Sequence, residues 1–176
     1  MNRSDLPKRL SYQDAAFANF ERATMPMNVG SVGIYEGNMP FEKFLEHVDG
    51  RIDLVPRYLQ RLVDVPFDVA HPTWVDDPDF DIGRHVERAR LPAPGTDEQL
   101  AELAGEFFSR PLKRDKPLWE VRLVEGLSGG RTAHLAKVHH CMVDGLSGVE
   151  LLAALLDLDP KPRAPRRRRR EAPPRP

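Results

Sequence analysis

The chain has 176 residues, of which 40% are hydrophobic and 30% charged, a composition that fits one globular domain or part of a larger one and excludes a fibrous or wholly disordered chain. Its single cysteine, Cys141, excludes an internal disulfide and suits a reducing compartment. The net charge of −1 hides a basic end, Lys161 to Pro176, with eight basic residues and one acid, so the first 160 residues carry 18 basic against 26 acidic residues; an acidic body with a basic tail excludes a nucleic-acid-binding domain, whose positive charge sits on a folded face.

In chain order, the opening MNRSDLPKRL has no apolar stretch after its positive charges and so does not read as a secretory signal. No apolar run reaches the roughly 20 residues that span a bilayer. The expected location is cytoplasmic. NVGSVGIYEG, from Asn28, reads as a strand between turn residues. A helix begins near Pro40, with Phe41, Phe44, Leu45, Val48 and Ile52 on one face; Gly50 and Pro56 end it by the mid-fifties. The clearest helix is Thr96 to Arg110. Thr96 and Gln99 form a capping box, Leu100, Leu103, Ala104, Phe107 and Phe108 recur at helical spacing, and Pro111 follows. LWEVRLVEGL reads as a strand with Trp119, Val121, Leu123 and Glu125 on one side. Ser128, Gly129 and Gly130 then turn the chain into RTAHLAKVHH, an antiparallel partner strand. A second capping box, Ser147 with Glu150, opens a final helix through LLAALL, which DLDPKPRAP ends. Residues 161–176, rich in Pro and Arg and without hydrophobic periodicity, are expected to be a disordered or extended linker. The sum is an α+β class, with helices packed on a mostly antiparallel sheet.

HHCMVDG, His139 to Gly145, lies between the strand's end and the last helix cap, where rigid elements hold a short loop. A histidine there can take a proton from a hydroxyl and return it to a leaving group. A carboxylate nearby can fix its tautomer, and a glycine leaves room for substrate. Strand alternation puts His134, Ala136, Val138 and His140 on one face and Ala133, Leu135, Lys137 and His139 on the other, so that one of the adjacent histidines serves a given cleft. The plainer alternative is a strand–helix turn, since Asp144-Gly145 is a common turn pair. A metal site would draw on His134, His139, His140, Cys141 and Asp144. No two of these have the spacing of zinc ligands on a helix, and alternation splits the histidines; no metal is expected. Cys141 reads as a small buried residue rather than a nucleophile.

HHCMVDG resembles the HHxxxDG motif of the CoA-dependent acyltransferase superfamily. LSYQDAAFANFE, PMNVGSVGIYEG and PLKRDKPLWEVRLVEGL, in that order, are similar to segments of one branch, the bacterial wax ester synthase/diacylglycerol acyltransferases. The likeness runs from about Leu10 to Pro160. It implies transfer of a fatty acyl group from acyl-CoA, the co-substrate, to diacylglycerol or a long-chain alcohol, with no metal. His140 matches the general base, His139 the supporting first histidine, Asp144 the aspartate that organises loop and base, and Gly145 the glycine that keeps the channel open. Pro117, Leu118, Trp119 and Glu120 match a PLWE element, where Trp119 reads as core and Glu120 as a loop-ordering charge. Neither Ser147 nor Cys141 has to act as a nucleophile.

The resemblance further implies one half of a two-lobed fold like that of chloramphenicol acetyltransferase, with the active site in a tunnel between the halves. Residues 1–160 match the N-terminal half and residues 161–176 the start of the interlobe linker. Much of the CoA site, the opposite wall and oxyanion support would come from a second half, in cis or in trans, or from a homo-oligomer. A peripheral position at the inner membrane or a lipid-body surface fits such substrates. The competing function is a catalytically silent N-terminal fragment that binds lipid or protein.

Overall fold

The computed structural model describes residues 9–143. The expected final helix after Ser147, the tail, Asp144 and Gly145 lie outside the described residues. Helix α1 (Tyr12–Phe20) starts where the Ser11 hydroxyl accepts the Asp14 backbone N–H at 3.1 Å. Strand β1 (Asn28–Tyr35) and helix α2 (Phe41–Arg51) follow, α2 opening after Pro40 and running into short 3₁₀ turns over Ile52–Leu54 and Pro56–Leu59. Two four-residue strands, β2 (Gln60–Val63) and β3 (Thr73–Asp76), pair with each other, and β4 (Val86–Arg90) leads to helix α3 (Asp97–Ser109). At α3 the capping box forms in full, Thr96 and Gln99 each bonding the other's backbone N–H. β5 (Trp119–Leu127) and β6 (Arg131–His139) close the main sheet.

That sheet has the order β1–β6–β5–β4, with β4 parallel to β5 and the other pairs antiparallel. The α+β class and the mostly antiparallel sheet read from the sequence are therefore present. Alternation along β5 and β6 sorts the core into two. Trp119, Val121, Leu123, Ala136 and Val138 pack in one cluster with Ala15 and Ala18 of α1 and with Phe44 and Val48 of α2. Val124, Ala133 and Leu135 pack in a second with Leu100, Ala104 and Phe107 of α3. Helices thus cover both faces, which is why β6 is buried along nearly its whole length.

Two glycines of β1 permit close approaches that a side chain would block. A Cβ on Gly30 would lie 2.2 Å from the Phe108 ring, and one on Gly33 would lie 2.2 Å from the ring of His134. Among the described residues no helix is long and apolar enough to cross a membrane.

Candidate active site

The site lies at the end of β6 and is framed by three other segments. β1 runs beside β6 in a register that pairs Asn28 with His139, and the His140 N–H donates to the carbonyl of Met27 at 2.7 Å, just before that strand. On the other side the His139 N–H donates to the Leu118 carbonyl at 2.9 Å, tying the pair to the PLWE element. Helix α1 packs across the turn His140–Met142.

His139 is fully buried, and its Nδ1 accepts the Cys141 backbone N–H at 3.1 Å. Nδ1 therefore carries no proton, and the neutral ring holds its hydrogen on Nε2. Nε2 lies 3.4 Å from Oε1 of Glu21, the residue that caps the C-terminus of α1. That is within ion-pairing reach but lacks hydrogen-bond geometry, and Nε2 has no hydrogen-bond partner among the described residues. Burial pushes the His139 ring below its ordinary value; Glu21 opposes this, while Arg114 and His140 add to it.

His140 is less enclosed. Its ring stacks on Phe17 with centroids 3.8 Å apart; the residue as a whole is half-buried, and Nδ1 is buried without a partner among the described residues. Strand alternation does not extend to this residue. β6 ends at His139 and His140 opens a 3₁₀ turn, so both rings meet the same short helix, through Glu21 and Phe17, instead of being divided between the faces of a sheet. Cys141 is buried, and burial pushes its thiol up to about 12, which leaves it a packing residue with no nucleophilic character.

The PLWE element is placed beside the histidines and is closed to solvent at its centre. Trp119 is fully buried; its indole N–H donates to the Tyr58 carbonyl at 2.8 Å, and its ring stacks on His85 at 4.4 Å. Pro117 and Leu118 are buried with it. Glu120 is on β5 opposite Lys137 of β6, and its carboxylate bridges Lys137 Nζ at 3.2 Å and Lys116 Nζ at 3.1 Å. Burial pushes the Glu120 carboxyl up, and the two ammonium groups outweigh it and hold it below its ordinary value. Lys137 also donates to the Phe107 and Arg110 carbonyls, each at 2.9 Å, and so finishes the C-terminus of α3. Lys116 in turn donates to the Arg84 carbonyl. Glu120 is therefore a strand residue that orders the preceding loop through Lys116.

His134 is not brought to the site. It is buried on β6, and its Nδ1 shares a hydrogen bond of 2.8 Å with the Tyr35 hydroxyl. Among the described residues no three His, Cys, Asp or Glu side chains group as a metal site.

Sequence reasoning passed over Phe17, Glu21 and Arg114, the last of which donates to the Ala18 carbonyl of α1. The available signal was the Ser11-x-x-Asp14 start, which marks a helix whose positions 17 and 21 fall one turn apart on one face.

The chain is similar in sequence and fold to known proteins. The chain is 44% identical over 151 residues to the Mycobacterium tuberculosis protein named "probable diacyglycerol O-acyltransferase tgs1", covering 84% of this chain and 33% of that protein. The structure of a wax ester synthase/diacylglycerol acyltransferase from Marinobacter aquaeolei VT8 superposes with a TM-score of 0.68 at 29% identity, covering 82% of this chain and 37% of that one. The starter condensation domain of rhizomide synthetase RzmA shares the fold at 15% identity, with a TM-score of 0.63 over 84% of this chain and 36% of that one. The chain thus spans about a third of the length of these proteins. The sequence model described as the wax ester synthase/diacylglycerol acyltransferase catalytic domain matches residues 10–176, and the chain belongs to that family.

Proposed function

We propose that this chain carries the general-base half of an O-acyltransferase site that moves a fatty acyl group from acyl-CoA to diacylglycerol or a long-chain alcohol. The observation behind this reading is the state of His140 within a chain of this family: a half-buried residue, its ring stacked on Phe17, just past the end of a buried strand. With Nδ1 buried, Nε2 is the nitrogen that can meet a substrate. It takes the proton of the acceptor hydroxyl as that oxygen attacks the thioester carbonyl. The tetrahedral oxyanion then collapses, the C–S bond breaks, and the thiolate leaves with the proton from His140.

Asp144 is proposed as the group that orients the ring and its loop, Gly145 as the residue that keeps the channel open, and His139 as a support. Trp119 and Glu120, with Pro117 and Leu118, are assigned a scaffolding part. Oxyanion donors, much of the CoA site and the facing wall are assigned to a second half in cis or in trans, or to another copy. Removing one oxyanion donor typically costs a hundredfold or more in rate, so the isolated chain is expected to turn over slowly.

The test is an acyl-transfer assay on the purified chain, alone and with the C-terminal remainder of a full-length relative, beside His140→Ala. Activity in either arrangement that His140→Ala abolishes is the expected result. Turnover untouched by that substitution removes His140 from the mechanism, and no turnover in any arrangement favours the catalytically silent fragment instead. A peripheral position at a membrane or lipid-body surface is proposed on the basis of these substrates. Flotation with anionic vesicles should weaken when residues 161–176 are deleted, as each Arg near such a surface adds about 1 kcal/mol; undiminished flotation would remove the tail from membrane docking.

A further inference from the structure

We infer that Glu21 is a positioning residue for the histidine pair, acting with Phe17 from the same helix. Two segments meet the Glu21 carboxylate, whose side chain is 8% exposed. Oε1 accepts the Met27 N–H at 3.2 Å, and Met27 is the residue whose carbonyl receives the N–H of His140. The same oxygen lies 3.4 Å from Nε2 of His139. The opposite edge of that ring, through Nδ1, accepts the Cys141 N–H inside the turn that carries His140.

A continuous path therefore runs from the carboxylate through the His139 ring to the backbone beside the proposed base. Its two ends have complementary polarity: a backbone donor makes Nδ1 an acceptor, and an anion then faces the proton left on Nε2. Phe17 lies one helical turn before Glu21 and covers a face of the His140 ring. One helix thus faces the protonated edge of the first histidine and covers the ring plane of the second. Arg114, bound to the Ala18 carbonyl, anchors that helix from the loop before the PLWE element. With its ring fully buried, His139 then serves as a link in a frame, without touching substrate.

The kinetic consequence rests on the acyltransferase reading, whereas the effect on His139 titration and on the His140 ring does not, so the two can fail separately. Long-range ¹H–¹⁵N spectra of the purified chain should show His139 as the Nε2–H tautomer. Glu21→Gln keeps an acceptor oxygen and should retain that tautomer, while its lost charge lowers the pH at which His139 titrates. Glu21→Leu removes the acceptor of the Met27 N–H as well and should broaden the His140 ring signals, while the Cys141 N–H keeps the His139 tautomer. In whichever arrangement turns over, Glu21→Leu should lower kcat roughly ten- to a hundredfold with KM little changed, because the base is misplaced rather than removed. Glu21→Gln should recover most of that loss. A His139 titration unmoved by Glu21→Gln overturns the inference, as does a folded Glu21→Leu chain whose His140 ring signals match those of the wild type. If Glu21→Leu fails to fold, the Gln titration alone decides.

Discussion

Two motif segments lie side by side at this end of the sheet, and they differ in how their polar atoms are used. In the PLWE element the Trp119 N–H is bonded to Tyr58, its carbonyl accepts from Nδ1 of His85 at 2.9 Å, and both Glu120 oxygens face a lysine. In the histidine pair, Nε2 of His139 and Nδ1 of His140 are buried without hydrogen-bond partners among the described residues. Buried polar groups are normally satisfied, because an unpaired one costs about 1–3 kcal/mol. A segment with its polar atoms closed off is held for shape. In the histidine pair that closure is incomplete among the described residues: Glu21 is within ion-pairing reach of His139 Nε2, and Nδ1 of His140 has no hydrogen-bond partner among them.

The sharpest way to break this contrast is Trp119→Ala. It removes a fully buried indole and its hydrogen bond and should cost about 3–5 kcal/mol of stability, measured as a drop in the urea midpoint. A loss below about 1 kcal/mol would mean that Trp119 is not a keystone of the core.

Acid should affect the closed region next. Burial pushes His85 and His134 down to about 4, against an ordinary value of 6.5. For His85 the bond to the Trp119 carbonyl opposes the shift only in part. Above pH 6.5 both rings are neutral whether the chain is folded or not, and their contribution is complete. Between 6.5 and about 4 the unfolded chain takes up protons that the folded one refuses, so stability falls by up to about 1.4 kcal/mol per pH unit for each ring. The loss is complete below about 4, once the folded rings are protonated as well. Urea unfolding at pH 7, 5.5 and 4.5 should trace this slope, and His134→Gln should remove about one proton from it. A stability that stays level from pH 7 to 4.5 contradicts the burial argument.

The smallest effect on stability belongs to the open region. His140→Ala gives up one stacked ring and should cost about 1 kcal/mol, even though it is the substitution expected to abolish acyl transfer. If it destabilises the chain as much as Trp119→Ala does, the ring is part of the frame and the contrast fails.

Much of this fold is legible from local signals. The capping box at Thr96 and Gln99, the β5–turn–β6 hairpin and the strand from Asn28 are each encoded in one continuous local segment, and each is found in place. The histidine pair at a strand end is legible for the same reason. The β2–β3 pair is not, because four-residue strands carry too little alternation to stand out. Glu21 and Phe17 escape notice because their partners are more than a hundred residues away, and no periodicity records such a distance. The expected alternation between His139 and His140 fails because a 3₁₀ turn interrupts it, a break that no glycine or proline announces.

The same distance has a consequence for how the site comes into being. Asn28 pairs with His139, and Phe17 with His140, so the site exists only after the chain has brought its two sides together across the whole described domain. Most of the entropy cost of that closure precedes the contacts that compensate it, as in other structures dominated by contacts between residues distant in sequence. During synthesis, Phe17, Glu21 and Met27 wait for more than a hundred further residues before the histidines they meet emerge. The histidine clasp therefore closes only where β1 has been brought beside the end of β6.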